Sequence, residues 1–327
     1  MKDKSKLILI GLGVLVLSAL IIILSAIGSV NLSLGDIFSA LINGDNKTVS
    51  TIVLQMRLPR NILAVLVGAN LAISGCLLQS VMKNPLADPG ITGVSSGASV
   101  FAIVILLLLP QYTGILPLVA FIGGALACTV VYFMAWKNGL KAIRVVLAGV
   151  AVNAILGGFI SLLTTLYSDR IQSALLWLNG SLSSKTWSDV RLVAIYSLIG
   201  LSLSLLCIRG ANVLNLSDES ATNLGFNVNK TRVLLSAVAV FLAATSTAVV
   251  GIISFVGLIV PHISRMVIGS DHKYTIPFSM VLGGIVLLVA DTIARTILGS
   301  LELPVGVVMS IVGGPFFLYL LRKKGGE

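Results

Sequence analysis

The chain has 327 residues, 57% of them hydrophobic and 10% charged, and its mean hydropathy is +1.06. A soluble domain carries about 25% charged residues, so composition excludes the soluble class and points to a membrane protein. The net charge of +10 does not indicate a nucleic-acid partner, because the basic residues are scattered between apolar runs rather than gathered in a patch.

A helix crosses a bilayer with about 20 apolar residues at about 1.5 Å each. The first such run, 7–27, follows Lys2, Lys4 and Lys6. It exceeds the roughly 7–15 residues of a signal-peptide core, so an uncleaved first span is expected. Further runs lie at 61–82, 91–109, 116–136, 145–167, 192–208, 233–250, 252–268, 276–298 and 305–321, which makes about ten spans. The seventh and eighth are nearly continuous. Polar stretches at 28–60, 168–191 and 209–232 separate the others. The expected fold is an all-α polytopic bundle forming one transmembrane domain over 1–327. Its 32 glycines suit close helix packing.

With the N-terminus inside, 15 of the 22 basic residues face the cytoplasm. They are Lys2, Lys4, Lys6, Lys83, Lys137, Lys141, Arg144, Arg209, Lys230, Arg232, Arg265, Lys273, Arg322, Lys323 and Lys324. Lys47, Arg57, Arg60, Arg170, Lys185, Arg191 and Arg295 face outward. The bias predicts that both termini are cytoplasmic.

Several motifs interrupt this pattern. Arg57-Leu58-Pro59-Arg60 precedes the second span on the outer side, and Arg295 ends the ninth. Outward arginines run against the charge bias, and a guanidinium grips carboxylates through a fixed fork. Interfacial anchoring competes with that reading. Asp291 lies four residues before Arg295 on one helix face, so it is expected to orient Arg295 as a structural residue. Glu302, in the turn before the last span, is expected to be structural too. Inside, Asn84-Pro85-Leu86-Ala87-Asp88-Pro89-Gly90 breaks helix twice, leaving backbone tolerable only where protein or water surrounds it.

Gly180-Ser181-Leu182-Ser183-Ser184-Lys185-Thr186 imitates a phosphate loop, but Ser184 stands where a second glycine is needed. An ATPase would have to be a separate chain. Asn215 to Gly225 reads as a short helix outside the membrane. Ser217 caps it, Asp218 and Glu219 favour its positive end, and Gly225 stops it. Residues 251–265, Gly-Ile-Ile-Ser-Phe-Val-Gly-Leu-Ile-Val-Pro-His-Ile-Ser-Arg, form an apolar stretch broken by glycine, proline, histidine and arginine. Such a segment bends and packs inside protein. His262 and His272 are the only histidines, the first toward the end of its span and the second in a polar loop. Both are expected to be structural, and no metal site is expected. Cys76, Cys128 and Cys207 lie in apolar runs and read as buried hydrophobes.

The segments 251–265, 84–90 and Glu302-Leu303-Pro304-Val305-Gly306, with Trp177-Leu178-Asn179-Gly180-Ser181-Leu182 and Trp187, resemble one family. It comprises the permease subunits of iron–siderophore, haem and cobalamin ABC importers. The likeness runs from about Ser33 to Leu321, and Gly68, Gly75 and Gln79 continue it. It implies about ten spans, a second permease subunit that is identical or paralogous, ABC ATPase subunits inside, and an extracellular or periplasmic binding (lipo)protein outside. A bacterial plasma membrane is implied, and no cofactor.

The resemblance also implies residue roles. Arg57, Arg60 and Arg295 would dock the binding protein. Ser217, Asp218, Glu219, Ala221, Leu224 and Gly225, within a cytoplasmic coupling loop at 209–232, would contact the ATPase. Asn84 and Leu86 would form a cytoplasmic gate with Ala142 and Ile143, where the match is weaker because small hydroxyl residues are absent. The expected activity is ATP-driven import of an iron chelate, iron–siderophore or haem, with cobalamin as the alternative cargo. An ion-coupled secondary transporter would need internal repeats and midplane carboxylates, and only Asp291 lies deep in a span. An intramembrane enzyme would need paired catalytic groups, which the spans lack.

Overall fold

The structure, a computed structural model, describes residues 3–28, 30, 32–42, 46–137, 139–299 and 301–324. Lys2 and the side chains of Lys323 and Lys324, counted in the charge reading, lie outside the described residues. The helices are α1 (Asp3–Ala26), α2 (Leu34–Ile42), α3 (Lys47–Ser50), α4 (Leu58–Met82), α5 (Val94–Leu108), α6 (Leu116–Ala135), α7 (Ala142–Leu166) and α8 (Ile171–Leu178). There follow α9 (Trp187–Leu206), α10 (Ile208–Leu214), α11 (Asp218–Asn223), α12 (Val228–Val250), α13 (Val256–Ile268), α14 (His272–Thr296) and α15 (Val305–Lys324). The ten expected spans coincide with α1, α4, α5, α6, α7, α9, α12, α13, α14 and α15. The others are short helices within the polar stretches.

Helix α4 is the axis of the bundle, buried along nearly its whole length and packed by α14, α12, α13 and α9. Glycine makes that approach possible. A Cβ on Gly75 would collide with the Gly257 carbonyl of α13. Buried polar side chains tie neighbours to the axis, as membrane helices commonly do. Asn70 donates to Ser197 Oγ at 2.7 Å, and Ser74 donates to the Ala239 carbonyl at 2.6 Å. A π-helical turn, Thr51–Arg57, runs directly into α4. It lets the helix continue where Pro59 can donate no hydrogen bond.

The 251–265 segment divides as its glycine suggests. Gly251 adopts φ +77 against the Trp177 carbonyl, a conformation and a clearance that only glycine combines. Chain 251–255 is non-helical, and the 13-residue α13 begins after Phe255. At about 20 Å, α13 is shorter than the roughly 30 Å apolar layer. The irregular backbone is sheltered by protein: Ser181 N–H bonds the Val250 carbonyl, and Gly306 N–H bonds the Gly180 carbonyl.

Pro261 lies inside α13 and leaves the Gly257 carbonyl without its helical donor. The Gln79 side-chain amide fills that vacancy at 3.1 Å. The N-terminus of α1 lies beside that of α14, since Lys6 sits 4.7 Å from the Tyr274 ring. Helix α15 starts at the opposite end, where Leu303 N–H bonds the Ala294 carbonyl. The bundle therefore has a loop end, near Lys83, Asp218 and Asp271, and an arginine end, near Arg57, Arg60 and Arg295.

Candidate functional site

Polar chemistry gathers at both ends. At the arginine end, Arg57, Arg60 and Arg295 line one cavity of about 620 Å³ together with Lys185 and Glu302. All three arginines are buried, 4–8% exposed, and each is engaged within the chain. Arg57 donates to the Ser25 and Ala26 carbonyls at 2.9 and 3.0 Å and to the Val30 carbonyl. It thereby satisfies the free carbonyls at the C-terminal, partly negative end of α1. Arg295 donates to the Leu24 carbonyl at 2.8 Å, adding a second cation there.

Arg60 grips both oxygens of Asp291, Nε at 2.8 Å and Nη2 at 3.0 Å, and reaches Glu302 at 2.8 Å. This corrects the local expectation for Asp291. Its partner is Arg60 on α4, 231 residues away, rather than Arg295 one turn on. A bidentate contact across helices outcompetes the i,i+4 contact because it satisfies two oxygens at once with two charge-assisted hydrogen bonds, which offset the cost of burying both charges. Burial pushes the Glu302 carboxyl up, but the Arg60 hydrogen bond and charge outweigh it, so the group sits below its ordinary range. Burial lowers the Lys185 ammonium, against the opposing charge of Asp189.

At the loop end, α11 has both expected stops. Ser217 Oγ accepts from Ser220 N–H at 3.1 Å, and Gly225 takes φ +84. The Phe226 N–H then bonds the Ala221 carbonyl and Gly225 N–H bonds Thr222, the double closure of a left-handed helix end. Ala221 is buried, whereas Glu219, Leu224 and Gly225 are exposed. Asp218 faces inward to Lys83 Nζ at 2.9 Å and Arg232 Nη2 at 3.0 Å. The hydrogen bond from Lys83, reinforced by Arg232, holds its carboxyl below the usual carboxylate range.

Lys83 is the left-handed C-cap of α4, immediately before the Asn84–Gly90 break. An ion pair thus joins α11 to the residue that starts this break. Asn84 Oδ1 accepts from Leu86 N–H at 2.9 Å, and Asp88 Oδ1 from Gly90 N–H at 2.8 Å, so both prolines sit in self-bonded turns. Gln79 donates to the Ala87 and Gly257 carbonyls at 3.3 and 3.1 Å and accepts from Arg265. Ala142 and Ile143 open α7, half-buried and exposed respectively, and the described hydrogen bonds do not join them to Asn84 or Leu86.

His272 is not in a loop, as the sequence reading had it. It is the first residue of α14 and 2% exposed. Its ring bonds Ser80 Oγ and Asn212 Oδ1, both at 2.8 Å, while Asn212 also donates to Asp271. Asn212 on α10 and the pairing of Lys83 with Asp218 were missed from sequence. Only the lone charge ending α4 could have hinted at the latter. Gln79, Ser80, Lys83, Asn84, Arg265 and His272 line a cavity of about 380 Å³ beside α11.

Two polar termini joined by a glycine-packed apolar bundle suit passage through a membrane rather than chemistry within it. The profile of the FecCD transport family matches residues 14–323. The chain belongs to the FecCD transport family. As a FecCD protein it is a multi-pass membrane permease subunit of the ABC-importer class and not an enzyme. It is 40% identical over 323 residues to a Staphylococcus aureus (strain Newman) chain named Probable heme-iron transport system permease protein IsdF, covering 99% of this chain and 98% of that one. The same protein from strain MW2 matches equally.

Among solved structures, one described as an inward-facing conformation of a metal-chelate type ABC transporter aligns with a TM-score of 0.87 and 28% identity. It covers 96% of this chain and 99% of its own. PsaBC from Streptococcus pneumoniae, in complex with Fab, shares the fold at 19% identity and a TM-score of 0.58, covering 80% of this chain and 90% of its own.

Proposed function

We propose that this FecCD permease carries an iron chelate, with haem the foremost candidate, in an importer powered by separate ABC ATPase subunits. The observation that carries the reading is the 40% identity, over 99% of the chain, to a permease named for heme-iron transport. The concentration of basic residues supports a cytoplasmic loop end, which makes the arginine end external and both termini cytoplasmic.

In this reading α11 and its flanking residues Ser217, Leu224 and Gly225 dock on the ATPase through the exposed Glu219–Gly225 surface. Movement of α11 is passed through Asp218 to Lys83 and so to Asn84 and Leu86, which close the cytoplasmic side together with Ala142 and Ile143. The binding protein docks over the external cavity. Its carboxylates meet Arg57, Arg60 and Arg295 there, and Arg295 Nε, buried without a partner among the described residues, is a free donor for one of them.

The test is reconstitution in liposomes with the neighbouring ATPase and lipoprotein, measuring uptake of haem, ferric siderophore and cobalamin. ATP-dependent uptake of haem or ferric siderophore is expected. Uptake by this chain alone without ATP overturns the powered mechanism, and uptake of cobalamin alone overturns the cargo.

A further inference from the structure

Away from the two polar ends, an apolar groove of about 550 Å³ lies between α6 and α12. That is within the roughly 300–1,000 Å³ of small-ligand sites. Phe121, Tyr132 and Trp136 form one wall and Val233, Ala237 and Val240 the other. Two features make it more than a gap between helices. The hydroxyls of Tyr132 and Ser236 are buried in it as neighbours, with no further partner among the described residues, and Ser236 is only 3% exposed. Each wall is also continued along the chain by an exposed cation. Lys137 follows Trp136, and Lys230 continues the 233–237–240 face of α12 one turn toward the loop end.

The two segments that carry these lysines are held together. Leu140 N–H bonds Asn229 Oδ1 at 3.1 Å, Arg232 bonds the Leu140 carbonyl at 3.0 Å, and Arg144 bonds the Lys137 and Gly139 carbonyls at 2.6 and 2.8 Å. These bonds clamp the α6–α7 turn against the start of α12.

From this geometry we infer a structural site for one anionic phospholipid, its acyl chain in the α6–α12 groove and its phosphate between Lys137 and Lys230. Depth agrees. At about 1.5 Å per residue Ser236 lies about 9 Å along α12 from Lys230. The interfacial layer of one leaflet is about 5–8 Å thick, so the hydroxyl pair stands where a glycerol-ester carbonyl can accept a proton from it. Lysines next to an interfacial tryptophan are a headgroup arrangement.

The test uses delipidated full-length chain incubated with vesicles of phosphatidylglycerol or phosphatidylcholine of identical acyl chains, followed by native mass spectrometry. One phosphatidylglycerol per chain should be retained, preferred over phosphatidylcholine by about 30-fold, or about fivefold per lysine. Lys137→Gln with Lys230→Gln, both exposed positions, should bring the preference near parity. Ala237→Phe should reduce retention of both lipids. Equal retention by the unaltered protein, a preference that survives the double glutamine variant, or retention unchanged by Ala237→Phe would each overturn the site.

Discussion

Asp291 and Asp218 sit at opposite ends of the bundle, and each bridges elements that are distant in sequence by pairing with basic side chains. Asp291 has a side chain 1% exposed and both oxygens held by Arg60, whereas Asp218 is 53% exposed and gives one oxygen to Lys83 and Arg232. Their chemistry is the same but their solvation is not. A dry pair cannot be opened without stranding a charge, while a wet pair exchanges partners with water at little cost. The arginine end is thus built to stay closed as a structure, and the loop end to rearrange.

The sharpest way to break the comparison is Arg60→Gln. It strands Asp291 in the bundle and should cost about 3–5 kcal/mol, read as a large fall in thermal unfolding temperature in detergent. Replacing Arg60 and Asp291 together by Met and Leu should recover much of that loss. If Arg60→Gln instead leaves stability intact and weakens only binding-protein docking, the arginine end is not a structural lock.

Gln79→Leu is the intermediate case. It leaves the Gly257 carbonyl without a donor, at about 1–3 kcal/mol, again measured by thermal unfolding. Asp218→Asn should change stability by no more than about 1 kcal/mol, because the pair is solvated. Its effect should be functional: ATP hydrolysis continues in the reconstituted complex while uptake falls. Unchanged uptake would remove α11 from the transmission route.

The same pair predicts a pH response. The Asp218 carboxyl is depressed in the fold, so its contribution is complete above the ordinary aspartate value of about 3.9 and is lost as pH falls through the lower folded value. A nitroxide at Leu224 should therefore become more mobile only in acid below about pH 4, and Asp218→Asn should abolish that transition.

The ten spans were legible because apolar length and turn residues are local signals, and Gly251 marked the division of 233–268 for the same reason. The short helices α2, α8 and α10 were not legible, since their apolar faces are too brief to stand out in polar stretches. At the site, the caps of α11 were readable from Ser217 and Gly225, whose preferences act within a few residues. The Arg60–Asp291 pair was not. Sequence spacing offered Arg295 as the neighbour, and only the packing of α4 against α14 brings Arg60 closer. Burial of His272 was hidden likewise, because Ser80 and Asn212 reach it from other helices.

Gln79 has one further consequence. A single amide side chain satisfies the carbonyl freed by Pro261, holds the Ala87 carbonyl and receives Arg265. Sliding α13 along α4 by one residue would break the Gly257 and Arg265 bonds together, while the Ala87 bond ties the Asn84–Gly90 turn to α4, so these two helices and that turn travel as one body. A pivot then belongs at the flank of that body, at the left-handed Phe255 that precedes α13. Fusing that pivot by a cross-link should stall the machine while leaving its parts folded.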